Sequence, residues 1–249
     1  MLTTQEQLKY SRQIMLPKIG QQGQVSLRNA KVLIVGVGGL GNPASLYLAA
    51  AGVGTLYLAD GDTIELSNLP RQIQFSEQDI NLNKADTTAE KLSQQFPDCY
   101  IEAIDDMLDQ ELCNYYLPLV DLVLDCSDNI ATRYLINQAC VTHKVPLVVG
   151  AATGFDGQQM VVDPRDDNSA CYHCLFPSAE KAPANNCQTM GILGPVLAIV
   201  AGMQTLQAIK LLTGNEAQIN KLNLFDGLSN QWQHFTIKKQ KKCTVCGDK

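Results

Sequence analysis

Residues 31–35, KVLIV, form an unbroken apolar run that ends in glycines. That pattern predicts a strand covered on both faces inside a parallel sheet. A helix through SLYLAAAG follows, and residues 54–59 (GTLYLA) predict a second strand ending at Asp60. Residues 83–96 predict a helix with Asn83 as its cap, and residues 100–104 a third strand. The alternation continues with a strand at 121–124, a helix at 131–143 and a strand at 146–150. Such alternation predicts an α/β fold with a doubly wound, mostly parallel, Rossmann-like sheet.

After Ala151 the pattern changes. Residues 158–163, 221–225 and 231–237 read as strands with no crossover helices between them, apart from one long apolar helix over 194–212, so antiparallel pairing is expected. Gln204, Gln207 and Lys210 interrupt that helix, which therefore reads as buried core and not as a membrane span of about 20 residues. Residues 164–190 form a loop rich in Asp, Asn, Ser, Pro and Cys, long enough to carry function. The first thirty residues are polar with scattered Leu8, Tyr10, Ile14, Met15 and Leu16, the pattern of a helical arm that packs on something else. The chain of 249 residues thus reads as one domain with an arm over 1–30, a nucleotide-binding half over 31–151 and an antiparallel half over 152–249.

The loop Gly36-Val-Gly38-Gly39-Leu-Gly41 closes a predicted strand and opens a predicted helix. Its amides can approach a nucleotide at the positive end of that helix. Asp60 ends the next strand, where a carboxylate accepts hydrogen bonds from ribose hydroxyls. These features point to an adenine nucleotide and fit NAD as well as ATP. Beyond them, Arg71 lies in a polar loop and Lys84 begins a helix, so two cations can converge on a phosphate chain. Asp128 follows the fourth strand and can offer a carboxylate to magnesium. Singly, each has an ordinary reading as a solvated Arg, a helix-surface Lys and a capping Asp. Jointly, they sit at the mouth of one sheet and favour a triphosphate.

Nine cysteines sharpen the chemistry. Cys171-x-x-Cys174 and Cys243-x-x-Cys246 have the spacing of a structural four-cysteine zinc site clasping distant segments. Cys187 precedes a glycine-bearing helix start, whose dipole can lower a thiol pKa and suit it as a nucleophile; an incidental loop cysteine is the ordinary alternative. Cys99, Cys113, Cys126 and Cys140 fall beside predicted core elements and carry no assigned role, and His143 and His173 need none. A formal charge of -6 argues against nucleic-acid binding. The N-terminal stretch shows no apolar signal core, so a cytoplasmic location with no membrane contact is expected.

Nearly end to end, the chain resembles the ThiF/MoeB family of adenylyltransferases that activate ubiquitin-like proteins. The resemblance runs from YSRQI at 10–14 through GVGGLG, LADGDTIELSNLPRQ, LDCSDNIATR and CYHCLFP to NCQTMGILGPV, LQAIKLLTG, LFDGLSNQW and CTVCG. It implies that the glycine loop and Asp60 hold ATP, that Asn68, Arg71 and Lys84 contact its phosphates, and that Asp128 positions Mg2+. It also implies that Arg12 reaches into a partner subunit's site in a homodimer. The partner substrate would be a ubiquitin-like sulfur-carrier protein ending in Gly-Gly, with a persulfide sulfur donor, and Cys187 would join the carrier through an acyl-persulfide. Local detail around Cys187 and over 224–232 favours the thiamine branch; the same reaction in molybdopterin synthesis is the alternative. Pro70 departs from the family, which commonly has Gln there, removing an amide donor and stiffening the loop before Arg71. An NAD-dependent oxidoreductase and a non-catalytic zinc adaptor are the competing readings from other classes.

Overall fold

Side chains alternate across a strand, so the run KVLIV must feed two cores. In the computed structural model of the chain, which describes residues 1–177 and 191–247, it does so. Val32 and Ile34 of β1 (Lys31–Val35) enter one apolar cluster, with Leu56, Leu58, Leu122, Leu124 and Val148. Leu33 and Val35 enter the other, with Tyr57, Val123, Leu147 and Val149. Helices cover both faces. On the first lie α3 (Gly20–Asn29), α4 (Gly41–Ala50), α5 (Lys84–Gln95) and α9 (Gly194–Leu212). On the second lie α6 (Gln110–Tyr116), α7 (Ile130–His143) and α8 (Tyr172–Leu175). The arm begins with two short helices, α1 (Thr4–Lys9) and α2 (Ser11–Ile14).

The remaining strands are β2 (Thr55–Ala59), β3 (Tyr100–Ile104), β4 (Leu122–Asp125), β5 (Leu147–Thr153), β6 (Asp156–Val162), β7 (Lys221–Asp226) and β8 (Gln231–Thr236). They form one eight-stranded sheet in the order β3-β2-β1-β4-β5-β6-β7-β8. Strands β1 to β5 pair in parallel, while β5 to β8 pair antiparallel. The chain winds outward through β2 and β3, then returns to place β4 on the other side of β1. The gap between β1 and β4 is therefore the switch point, where a crevice opens at the carboxyl ends.

Three features depart from the sequence expectations. β5 runs three residues past Gly150 and turns directly into β6 through Gly154 at φ +58°, so one long hairpin replaces two short strands. The small and polar residues of AATGFDG hide this pairing from a hydrophobic pattern. α6, capped by the Asp109 carboxylate accepting from the Leu112 amide at 2.8 Å, has no predicted counterpart. α9 occupies the predicted 194–212, yet only one side is buried. Val196, Leu197, Val200, Ala201 and Ala208 enter the core, while Ile199 and Leu206, like Leu193 just before the helix, stay exposed.

Gln204 ties α9 to the sheet, donating to the carbonyls of Asp125 at 2.9 Å and Val148 at 3.3 Å. The N-terminal arm is also anchored, with buried Gln24 donating to the Ala51 carbonyl at 2.9 Å. A tighter contact joins β1 to α4. A Cβ at Gly41 would stand 1.8 Å from the Gly36 carbonyl oxygen, whereas one at Gly38 would meet only the Gln72 Nε2 at 3.4 Å. Gly41→Ala is therefore expected to cost about 1–3 kcal/mol or more in chemical denaturation, with Gly38→Ala changing stability far less. Equal effects of the two substitutions would contradict the close packing.

Candidate active site at the switch point

The crevice between β1 and β4 has a volume of about 1620 Å³. Its walls bring together Gly36, Gly38, Gly39, Asp60, Asn68, Arg71, Lys84 and Asp128, eight of the residues singled out by sequence. Gly36 turns the chain at φ +86° where β1 ends, a conformation glycine adopts without a Cβ penalty. Gly41 is absent from the walls and acts in packing, as described above.

Asp60 is buried at the tip of β2. One carboxylate oxygen accepts the Val37 amide at 2.7 Å and the other the Asp62 amide at 3.0 Å. A carboxylate has about four acceptor sites, so two remain for a ligand's hydroxyls. Burial pushes the Asp60 pKa above the ordinary carboxylate range, against the pull of the Lys84 charge and the two amides. Lys84 begins α5 and is itself buried, its ammonium held 2.9 Å from the Asp62 carboxylate. Asn83 caps the same helix and donates to the Asp60 carbonyl at 3.1 Å, locking the acid and the cation in one unit.

Also lining the crevice, the Arg71 guanidinium donates to the Ser67 carbonyl at 2.7 Å. Asn68 is buried, with its Oδ1 accepting the Glu65 amide at 3.2 Å. The segment before α7 carries Asp128 exposed at the mouth, flanked by Ser127 and by the cap Asn129. Among the described residues the Asp128 carboxylate has no hydrogen bond or ion pair, leaving it available to a cation. The crevice thus combines ribose-hydroxyl acceptors, an ammonium, a guanidinium and an open carboxylate, a set suited to a magnesium nucleotide.

Two predicted site residues lie elsewhere. Arg12 projects from α2, exposed and absent from the crevice walls. Cys187 lies outside the described residues. Conversely, Asp62, Gln72 and Arg133 line the crevice and were not singled out by sequence. Gln72 sits beside Gly38 and is buried with its Oε1 unpartnered among the described residues. Arg133 carried one available signal, because a cation in the first turn of a helix opposes the dipole and needs a specific partner.

The four predicted ligand cysteines come together against the second core. Their sulfurs all lie within 4.8 Å of one another, with Cys171 and Cys243 at 3.7 Å and Cys174 and Cys246 at 3.4 Å. Four sulfurs around a tetrahedral zinc at about 2.3 Å would be about 3.8 Å apart, so the cluster fits such an ion. The Gln240 amide donates to the Cys174 sulfur at 3.3 Å, and the Gly247 amide closes a knuckle onto the Cys243 carbonyl at 2.9 Å. Burial pushes the Cys246 thiol up to about 11, so a bound cation would favour its ionised form.

Comparison with known proteins agrees with this architecture. The ThiF family profile matches residues 10–245. The sulfur carrier protein ThiS adenylyltransferase of Escherichia coli is 46% identical over 240 residues, covering 96% of this chain and 95% of that protein. The adenylyltransferase and sulfurtransferase MOCS3 of Dictyostelium discoideum is 40% identical; the match covers 97% of this chain and 57% of that longer protein. The crystal structure of E. coli MccB with ATP superposes at a TM-score of 0.84 with 26% identity, covering 96% of this chain and 74% of that one.

The raised pKa of Asp60 gives a signed pH dependence. As pH falls through that value, above 3.8, the wild-type carboxylate takes a proton and loses acceptor capacity. The affinity advantage of wild type over Asp60→Asn for ATP, measured by titration calorimetry, is therefore expected to be constant near neutrality and to shrink on acidification. No difference between the two proteins at any pH would remove Asp60 from nucleotide binding, and a difference unchanged on acidification would show that its ionised form is not what binds.

Proposed function

Because the chain belongs to the ThiF family, we propose that this crevice adenylylates the C-terminal glycine carboxylate of a ubiquitin-like sulfur-carrier protein in thiamine thiazole synthesis. The chain is an adenylyltransferase. The observation that carries the reading is the convergence of Asp60, Arg71, Lys84 and Asp128 on one crevice at the switch point. The 46% identity to the ThiS enzyme, over nearly the whole of both chains, favours a ThiS-like carrier over the molybdopterin one.

In the proposed reaction the carrier's carboxylate attacks the α-phosphorus of ATP, forming a carboxyl-AMP anhydride and releasing pyrophosphate. A carboxylate is already ionised near neutral pH, so no general base is required. The Asp60 carboxylate would orient the ribose, while Arg71 and Lys84 would offset charge building on the phosphates. Asn68 stiffens the loop that presents Arg71. Asp128 is the residue that would hold Mg2+, which supplies further charge neutralisation when bound. A persulfide sulfur would then displace AMP from the acyl group, with Cys187 as the thiol proposed to take part.

We assign zinc to the four-sulfur cluster as a structural ion, and a cytoplasmic location, which suits thiols that must stay reduced. A homodimer is the proposed assembly. In support, Arg12 is surrounded on the arm by exposed Leu8, Met15 and Leu16, a surface suited to a second copy whose crevice Arg12 would enter.

Incubation with ATP and purified carriers is expected to add one AMP to a ThiS-like carrier, read by mass spectrometry. Pyrophosphate–ATP exchange should fall by about 100-fold or more in Asp128→Ala and survive in Cys187→Ser. Loss in both variants would break the proposed division of labour. For the metal, Cys243→Ser is expected to lose bound zinc and to lower Tm by at least about 5 °C. Full zinc content in that variant would show that the cluster is not the binding site.

A further inference from the structure

The sequence from 125 to 133 places one buried carboxylate, one exposed carboxylate and one buried cation around a single helix start. Asp125 ends β4 with no exposed surface. One of its oxygens accepts both the Ser127 amide at 3.0 Å and the Ser127 hydroxyl at 2.6 Å, bending the chain back on itself. The other lies 3.3 Å from the Arg133 Nε. Arg133 is itself buried in the first turn of α7, where the helix dipole opposes a cation. Its guanidinium answers with backbone carbonyls as well as with Asp125, donating to Ser127 at 2.6 Å and to Gly150 of β5 at 3.2 Å. The Tyr172 ring lies against it with the guanidinium carbon 6.0 Å from the centroid.

Asp128 follows directly. Its preceding peptide is fixed by Arg133 at the Ser127 carbonyl, and its following residue is fixed as the cap of α7, where the Asn129 Oδ1 accepts the Thr132 amide at 2.8 Å. The backbone is held on both sides while the carboxylate stays exposed at the crevice mouth. We propose that Arg133 is a positioning residue for catalysis: by bridging Asp125, Ser127 and Gly150, it sets the turn that aims Asp128 at the metal–nucleotide substrate. This inference rests on the proposed role of Asp128. A planar fork is needed for the task, because an ammonium cannot reach a carboxylate and two carbonyls in fixed directions. In the sequence, a cation in the first turn of a helix signals only that Arg133 needs a partner, not which partner or for what role.

The test compares wild type with Arg133→Lys and Ser127→Ala. Pyrophosphate–ATP exchange as a function of Mg2+ is expected to show half-saturation raised by about tenfold in Arg133→Lys, with the KM for the carrier unchanged. Backbone amide hydrogen exchange over residues 126–129, measured without nucleotide or metal, should be faster in the same variant. In an Asp128→Ala background, the Lys substitution should add nothing further to the exchange defect, because its effect passes through that carboxylate. If Arg133→Lys does not accumulate folded, Ser127→Ala must shift the Mg2+ dependence in the same direction. An unshifted Mg2+ dependence in a folded variant overturns the role of Arg133 alone. So does a uniform fall of every kinetic constant together with Tm. Absence of exchange in wild type overturns the adenylyltransferase reading on which the inference stands.

Discussion

Burial of β1 and β4 on both faces is the constraint from which the site follows. Apart from Asp125 at the last position of β4, the inward positions of both strands are apolar, so the groups that face a ligand are carried past the strand ends. The crossovers leave β1 toward β2 and enter β4 from the other side, which parts the chain above their junction and opens a crevice there. Gly36 and Gly41 keep that junction tight, since the Gly36 carbonyl occupies the space a side chain at 41 would need. The result is a rigid floor of backbone with charged groups arranged around its rim.

That arrangement carries an electrostatic tension. Asp60 is buried and its ionised form is disfavoured by desolvation, so its folded pKa is raised. A group with a raised folded pKa contributes stability below its unfolded value and loses it as pH rises through the folded one. Near neutrality, Asp60 is therefore a charge the fold tolerates at some expense. Two amides and the neighbouring Lys84 moderate it, and Lys84 is in turn balanced by Asp62. Such chains of partial compensation are expected where binding geometry takes precedence over stability.

What could be read from the sequence was what local chemistry encodes. The glycine loop, the Asn83 cap and the bounds of α9 each rest on signals within a few residues, and the structure places them as the pattern predicts. The paired cysteines were legible for the same reason, because metal-ligand spacing is a local property. The β5–β6 hairpin was not, since its pairing is set across strands by residues too small to pattern. The partners of Arg133 were not legible either, because Asp125 and Gly150 lie on two different strands. Arg12 marks the remaining boundary: it is exposed on α2 and lies outside the crevice walls, so this chain alone does not bring it to the other site residues.

The sulfur cluster and the crevice look separate, one structural and the other chemical, yet they share a wall. Tyr172 stands between Cys171 and Cys174, lines the crevice, and packs its ring against Arg133. Its amide is held by the Asn137 Oδ1 of α7 at 2.8 Å, and Tyr134 of the same helix donates to the Phe176 carbonyl at 2.6 Å. The short helix α8 is thus gripped from two directions, by α7 on one side and by residues 243–246 on the other. Closing the cluster fixes α8, and a fixed α8 gives Arg133 a firm surface to lie on. A metal held by the four sulfurs would in this way contribute to the shape of the site without touching substrate, through packing alone.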